Sequence, residues 1–210
     1  MKNNYSKKGN IITYSIYLGI IVLSVIFSLN SAANKLVREI AISEAKKYMS
    51  MGISETVKEV IENSEYPVSS ATIVKYTDSG EITSIGENTY ILNNIQTEIN
   101  KTLNSNLENY LETSKIKIPI GNFSGIVFLS GKGKEIDFDL KYSGNASIKV
   151  ESDFVSVGIN QTLHEIKITV NAGATVLLPF ESVKVDTSET YIVYDTMIIG
   201  EVPDFYTDIY

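Results

Sequence analysis

The spacing of apolar residues changes near residue 115, and this change most constrains the fold. From Ala32 to Ser64, and again from Thr89 to Glu112, apolar residues recur at helical intervals, which predicts two amphipathic helices. Further along, as in Ile136 to Tyr142, apolar and polar residues alternate, which predicts half-buried strands. The chain is therefore predicted to be α+β, with the helical part first.

Residues 30–121 are predicted to form a helix–hairpin–helix–strand unit. A turn at Thr77 to Glu81 separates the strands Ala71–Tyr76 and Ile82–Ile85. Lys115–Ile120 is predicted to be the third strand. Gly52 marks a possible bend or break in the first helix, which should end before Pro67.

Residues 122–210 are predicted to form an antiparallel, meander-like β region that packs with the preceding unit. About six strands are expected, at residues 136–142, 148–157, 159–170, 175–180, 183–186 and 191–199. Gly158 is expected to mark a bulge or corner between two of them.

The N-terminal segment is predicted to anchor the chain in a membrane. Residues 11–29 carry no charge and would span roughly 28 Å as a helix, close to the thickness of the hydrocarbon core. Lys2, Lys7 and Lys8 precede the segment, so the tail of residues 1–10 should be cytoplasmic and the domain outside. A signal peptide cleaved near Ser31–Ala33 is the alternative, but the length of the apolar run favours an uncleaved anchor.

Charge and cysteine content exclude several classes of function. Beyond the three N-terminal lysines, the chain has 15 basic and 25 acidic residues. This acidic balance disfavours binding to nucleic acid. The chain has no cysteine, which excludes disulfides, thiol nucleophiles and thiolate metal sites.

His164, the only histidine, is the first candidate for chemistry. On a strand it shares a face with Thr162, Ile166 and Ile168. A buried network with Asn160 and Thr162 is favoured over catalysis, because no second histidine or cysteine could complete a dyad.

Carboxylates on one strand are the second candidate. Glu135, Asp137 and Asp139 align on one face and could contact a hard cation such as Ca²⁺. Lys134 and Lys141 flank them, so a solvated strand face is favoured. No metal and no cofactor are predicted.

Three motifs carry a resemblance to a known family. They are Ile118-Pro119-Ile120-Gly121-Asn122-Phe123-Ser124-Gly125 with the following Leu129-Ser130-Gly131-Lys132-Gly133, then Gly158-Ile159-Asn160-Gln161-Thr162-Leu163-His164-Glu165-Ile166, then Asp195-Thr196-Met197-Ile198-Ile199-Gly200-Glu201-Val202-Pro203-Asp204. In this order and spacing the chain resembles the YunB family of sporulation proteins over about residues 30–205. The motif residues predicted to be structural are Pro119, Gly121, Gly125, Gly158, Asn160, Gln161, Thr162, His164, Gly200, Val202 and Pro203.

The resemblance implies a role in endospore formation. If the protein is made in the mother cell, the domain would then face the space between the two membranes around the forespore. It implies no reaction, substrate or cofactor. A non-catalytic, membrane-anchored factor that acts by protein contacts or assembly is therefore predicted. The alternatives are a wall-remodelling enzyme that uses carboxylates and a protein that binds lipid or wall precursor on the concave face of the sheet.

The element order of residues 32–121 also predicts a route to assembly. Helix–strand–strand–helix–strand is similar in topology to the ring-building motif of sporulation channel and secretion-ring proteins. Self-association, or docking on a partner protein, through this first half is expected.

Overall fold

The computed structural model describes residues 3–179 and 181–200, without the side chains of residues 3–13, 26–30 and 32. It confirms the predicted α+β class with antiparallel sheets. The elements are α1 (Asn3–Asn63), β1 (Thr72–Tyr76), β2 (Ile82–Glu87), α2 (Thr89–Thr113), β3 (Lys115–Pro119), β4 (Glu135–Tyr142), β5 (Ser147–Gly158), β6 (Gln161–Leu177) and β7 (Ser182–Ile199).

Helix α1 is continuous, and it is not interrupted at Gly52. This glycine instead lets α2 approach, because an added Cβ would lie 3.0 Å from Leu107 Cδ2 and 3.1 Å from Tyr110 Cδ1. The buried stripe of α1 recurs mostly at every fourth residue. It comprises Ala33, Val37, Ala41, Ala45, Met49, Ile53, Val57 and Val60.

Residues 14–25 of α1 lie outside the core. All side chains of residues 14–25 are exposed, including nine large apolar ones: Tyr14, Ile16, Tyr17, Leu18, Ile20, Ile21, Val22, Leu23 and Val25. Within the part of the chain that the structure describes, no helix has an apolar stretch long enough to cross a membrane. The predicted span of residues 11–29 is thus not supported here, and its side chains at 11–13 and 26–29 lie outside the described residues.

Strand β6 is the centre of the main sheet. Strand β7 pairs with it along its whole length, while β4 and β5 share its other edge, end to end and both antiparallel to it. Strand β3 pairs with β4. If β4 and β5 are taken as one interrupted strand, the chain follows a meander; β1 and β2 form a separate hairpin.

The prediction of six strands in the second half was wrong. The single strand β6 (Gln161–Leu177) takes the place of the strands predicted at 159–170 and 175–180, and the single strand β7 (Ser182–Ile199) takes the place of those predicted at 183–186 and 191–199. Gly173 interrupts the apolar pattern without ending β6, since it remains paired with Asp186 of β7. A larger residue would not fit there, because an added Cβ would lie 2.6 Å from Asn145 Oδ1. Polar Glu189 likewise stays within β7, paired with Val170 of β6, and it accepts a hydrogen bond from Ser50 of α1.

The domain has two ends, defined by where α1 enters and where the hairpin lies. At the α1-entry end, Asn34 and Val37 face Phe123 and Leu178 across a cavity of about 290 Å³. At the hairpin end, the tip of the β1–β2 hairpin lines a second cavity together with Ile199 and Gly200. Strand β6 has 17 residues and therefore separates the two ends by about 55 Å.

One core joins the two predicted units, 30–121 and 122–210, within the described residues. Its largest fully buried side chains come from α1, α2 and the three strands β3, β4 and β6. They are Met49, Ile53, Ile95, Ile99, Leu103, Leu107, Leu111, Ile116, Ile118, Leu140, Ile166 and Ile168.

Candidate functional site: motif clusters at the two ends of the sheet

His164 is fully buried, with 0% of its surface exposed. Its Nδ1 lies 2.9 Å from Thr72 Oγ1 of the hairpin, and its Nε2 lies 2.8 Å from Ser152 Oγ of β5. A neutral imidazole has one N–H donor and one acceptor nitrogen. One hydroxyl can therefore donate while the other accepts, and the ring joins three strands with both nitrogens satisfied.

Aromatic rings enclose the same imidazole. Phe154 stacks on it with ring centroids 4.2 Å apart and planes 6° apart. Tyr194 approaches edge-on at 6.1 Å and 71°. Burial lowers the pKa of His164 below its ordinary value, because a protonated ring would lose its hydration, while Glu87 acts in the opposite direction.

The second motif forms the turn at the hairpin end. The register of β5 on β6 shifts between Ser156 and Gly158, and an added Cβ at Gly158 would lie 3.3 Å from Gln161 Oε1. The carbonyl of Asn160 accepts a hydrogen bond of 2.8 Å from the amide of Gly200. The second and third motifs therefore meet here; Val202 and Pro203 of the third lie outside the described residues.

The first motif forms the loop between β3 and β4 at the opposite, α1-entry end. Pro119 precedes a 3-10 turn that ends at Gly125, whose φ of 68° is left-handed. The chain crosses itself at Gly121, where an added Cβ would lie 1.9 Å from the carbonyl oxygen of Leu129. Asn122 is buried, and its Oδ1 accepts hydrogen bonds from Ser130 Oγ (3.0 Å) and the Gly131 amide (2.6 Å).

The tip of this loop, Ile126–Leu129, is apolar and exposed. Val127 is 90% exposed and Phe128 is 76% exposed. The ammonium nitrogen of Lys132 lies 3.9 Å from the centroid of the Phe128 ring. The tip is therefore an apolar surface with a cation packed against it.

Two of the three candidate carboxylates of β4 lie opposite lysines of β3, and the third, Glu135, lies opposite Pro119. Asp139 pairs with Lys115, which lowers the pKa of Asp139 through a hydrogen bond and charge attraction. In the strand register Asp137 lies opposite Lys117. Among the described residues, no group of three or more His, Asp or Glu side chains could hold a metal ion.

The solvent-facing side of the sheet, here called the outer face, carries an apolar row near the hairpin end. Val155, Leu163 and Met197 lie directly opposite one another on β5, β6 and β7. The next row on the same face holds Asp153, Glu165 and Asp195. Lys167 contacts two of these carboxylates, Glu165 at 2.8 Å and Asp153 at 3.3 Å.

The sequence analysis identified His164 as a candidate but did not identify the hydrogen-bond partners of its two ring nitrogens. Its partners Thr72 and Ser152 are far from it in sequence, and no spacing pattern links them. The exposed tip at Val127 and Phe128 was also missed, although a run of four apolar residues beside glycines could have indicated it.

Together these features define a class of protein: a long N-terminal helix that enters an α+β domain, with motif-built loops at both ends of a meander sheet. Residues 115–205 match the family model described as Sporulation protein YunB. Sporulation protein YunB of Bacillus subtilis (strain 168) is 25% identical over 190 residues, which cover 86% of this chain and 74% of the relative. No solved structure matches the chain.

The predicted resemblance to the YunB family is confirmed, and all three motifs lie largely or wholly inside the matched region. The family suggests a role in sporulation. Its description names a process and not a reaction, which is compatible with a protein that is not an enzyme.

Proposed function

We propose that this chain is a membrane-anchored factor of endospore formation that acts outside the cytoplasm through protein contacts, without catalysis. One observation carries the proposal. Helix α1 runs unbroken from the exposed apolar residues 14–25 to the buried stripe that begins at Ala33. An apolar segment in water is unfavourable, and a continuous helix would hold the domain directly against whatever covers that segment.

A bilayer is the proposed cover. The uncharged residues 11–29 have the length of a membrane span, and three lysines precede them. These lysines favour a cytoplasmic N-terminus. The domain then lies outside, in the space between the two forespore membranes if the chain is made in the mother cell.

The outer face is the proposed contact surface for another protein. Its apolar row at Val155, Leu163 and Met197 is partly exposed and adjoins the acidic row. Exposed apolar patches beside charged residues are typical of interaction sites. The acidic row favours a partner with basic residues over a second copy of this chain.

The anchoring half of the proposal is tested by complementation in an endospore-forming host. Deletion of the gene should lower the number of heat-resistant spores, and the full chain should restore it. A chain in which a cleavable signal peptide replaces residues 1–33 would be exported but not anchored, and it should fail to restore the number. Full restoration by that chain would show that anchoring is not needed.

The contact half is tested by capture of tagged full-length protein from sporulating cells after crosslinking. Met197 is 52% exposed, so Met197→Glu should leave the fold intact and reduce capture of the partner. Tyr76→Glu, at a hairpin residue that is 62% exposed, is the matched variant. If Tyr76→Glu reduced capture of the partner and Met197→Glu did not, the contact surface would lie in the first half of the chain and not on the outer face.

A further inference from the structure

We propose that the loop tip Ile126–Leu129 is a second membrane contact, inserting into the interface of the same bilayer that holds α1. The inference rests on the proposed anchoring. The loop built by the first motif would then contact lipid in addition to α1.

The position of the loop is the first argument. Strand β4 begins pairing with β6 only at Leu140, so its first residues, from Glu135, extend with β3 beyond the end of β6. The loop that joins β3 to β4 therefore projects past the β6–β7 turn at the α1-entry end. Asn34, which lines the same cavity as Phe123, follows residue 29 by about 7 Å of helix. The tip thus lies where α1 would leave the bilayer.

The rigidity of the loop is the second argument. Asn122 is 3% exposed and accepts two hydrogen bonds from the far side of the loop, at Ser130 and Gly131. Ser124 Oγ donates to the Gly121 carbonyl at 2.6 Å and accepts from the Ile126 amide at 3.1 Å. These bonds hold the apolar tip outward, so burying it in lipid requires little further ordering of the chain.

The chemistry of the tip is the third argument. Residues 126–129 are all apolar, and Lys132 and Lys134 beside them are exposed. An apolar surface with flanking lysines suits the boundary between acyl chains and headgroups, because lysine stems lie along apolar surface while the ammonium stays in water. Glu181 is a nearby acidic group, and its carboxylate lies 3.6 Å from the guanidinium of Arg38. This positive charge offsets the repulsion between Glu181 and anionic headgroups.

The absence of tryptophan from the chain permits a direct test with single-tryptophan variants. Full-length protein would be reconstituted into vesicles whose lipids carry bromine on the acyl chains, which quenches tryptophan at short range. Phe128→Trp reports on the tip. Tyr17→Trp reports on the anchor, and Ile159→Trp, at a position 74% exposed at the hairpin end, is the matched control.

The expected result is strong quenching of Y17W, clear quenching and a blue shift for F128W, and neither for I159W. If Y17W is quenched while F128W behaves like I159W, the anchoring stands and the second contact is overturned, which leaves the tip for a protein partner. If Y17W is not quenched, the anchoring fails; quenching of F128W would then still support lipid contact by the tip, and its absence would overturn both.

Discussion

His164 acts at the residue scale as a brace between β6, β5 and the hairpin. We expect His164→Ala to lower the free energy of unfolding by about 2–4 kcal/mol, because it removes two hydrogen bonds and opens a cavity beneath Phe154. Denaturant unfolding measures this change. Leu163→Ala, on the half-buried outer face, should cost less; an equal cost, or none for His164→Ala, would contradict the assigned role.

Burial of His164 is also expected to make the free energy of unfolding depend on pH. Its pKa is lowered in the folded state by burial, so the unfolded chain binds more protons near its ordinary pKa of about 6.5. The free energy of unfolding should therefore be highest above that pH and fall as the pH decreases through it. The pKa of Asp139 is also lowered in the folded state. Its contribution to the free energy of unfolding is lost only at more acidic pH, below about 3.9.

Unfolding curves between pH 7.5 and pH 5 would measure this effect, and His164→Gln should flatten the dependence. An equally steep fall in the variant would assign the titration to other groups.

Replacing Gly121 with alanine should destabilise the fold, whereas the same substitution at Gly86 should not. Gly121→Ala would place a Cβ 1.9 Å from one carbonyl oxygen and 2.6 Å from another, and overpacking of this kind typically costs about 1–3 kcal/mol or more. Gly86→Ala meets nothing within 4 Å and should be neutral or stabilising, because it restricts the unfolded chain. Thermal unfolding of both variants compares them, and equal behaviour would refute the close approach.

At the scale of elements, Tyr142 bridges the break between β4 and β5. Its hydroxyl donates to Asn104 Oδ1 of α2 at 2.5 Å and accepts from the Ala146 amide at 2.9 Å. Tyr142→Phe should lower the free energy of unfolding by about 1–3 kcal/mol, because both partners lose a bond in a partly buried site. Tyr76→Phe, on the exposed hairpin, is the control and should change it little.

Elements with a strong apolar period could be predicted from the sequence. The stripe of α2, from Ile91 to Leu111, is buried as the spacing indicated. The two long strands could not, because Gly173 and Glu189 interrupt the apolar pattern, whereas the pairing of β6 with β7 continues through both residues. Such tertiary contacts override local propensity.

The candidate site shows the same limit. The motifs placed His164 on an inward face, but the partners of its two nitrogens come from β1 and β5. Long-range hydrogen bonds of this kind leave no periodic trace in a single sequence. The loop at Gly121 is similar, since its crossing with Leu129 is a matter of backbone geometry.

At the scale of the whole molecule, α1 runs along β7, from Arg38 beside Glu181 to Ser50 beside Glu189. The α1-entry end carries the first motif and the apolar tip, and the hairpin end carries the other two motifs. In the proposed arrangement the α1-entry end contacts the membrane. The apolar row of the outer face, near the hairpin end, lies away from the membrane. Both proposed contacts require that α1 crosses a bilayer, with the domain outside.

Labelling of single cysteines tests that claim most directly, because the chain has none of its own. Ser79 is exposed at the hairpin turn, and Ser6 lies in the predicted cytoplasmic tail. In intact cells a membrane-impermeant maleimide should label S79C but not S6C, and permeabilised cells should show both. Labelling of S6C but not S79C in intact cells would reverse the orientation. Recovery of the full-length protein in the cytosol, with neither cysteine labelled, would contradict the anchor itself.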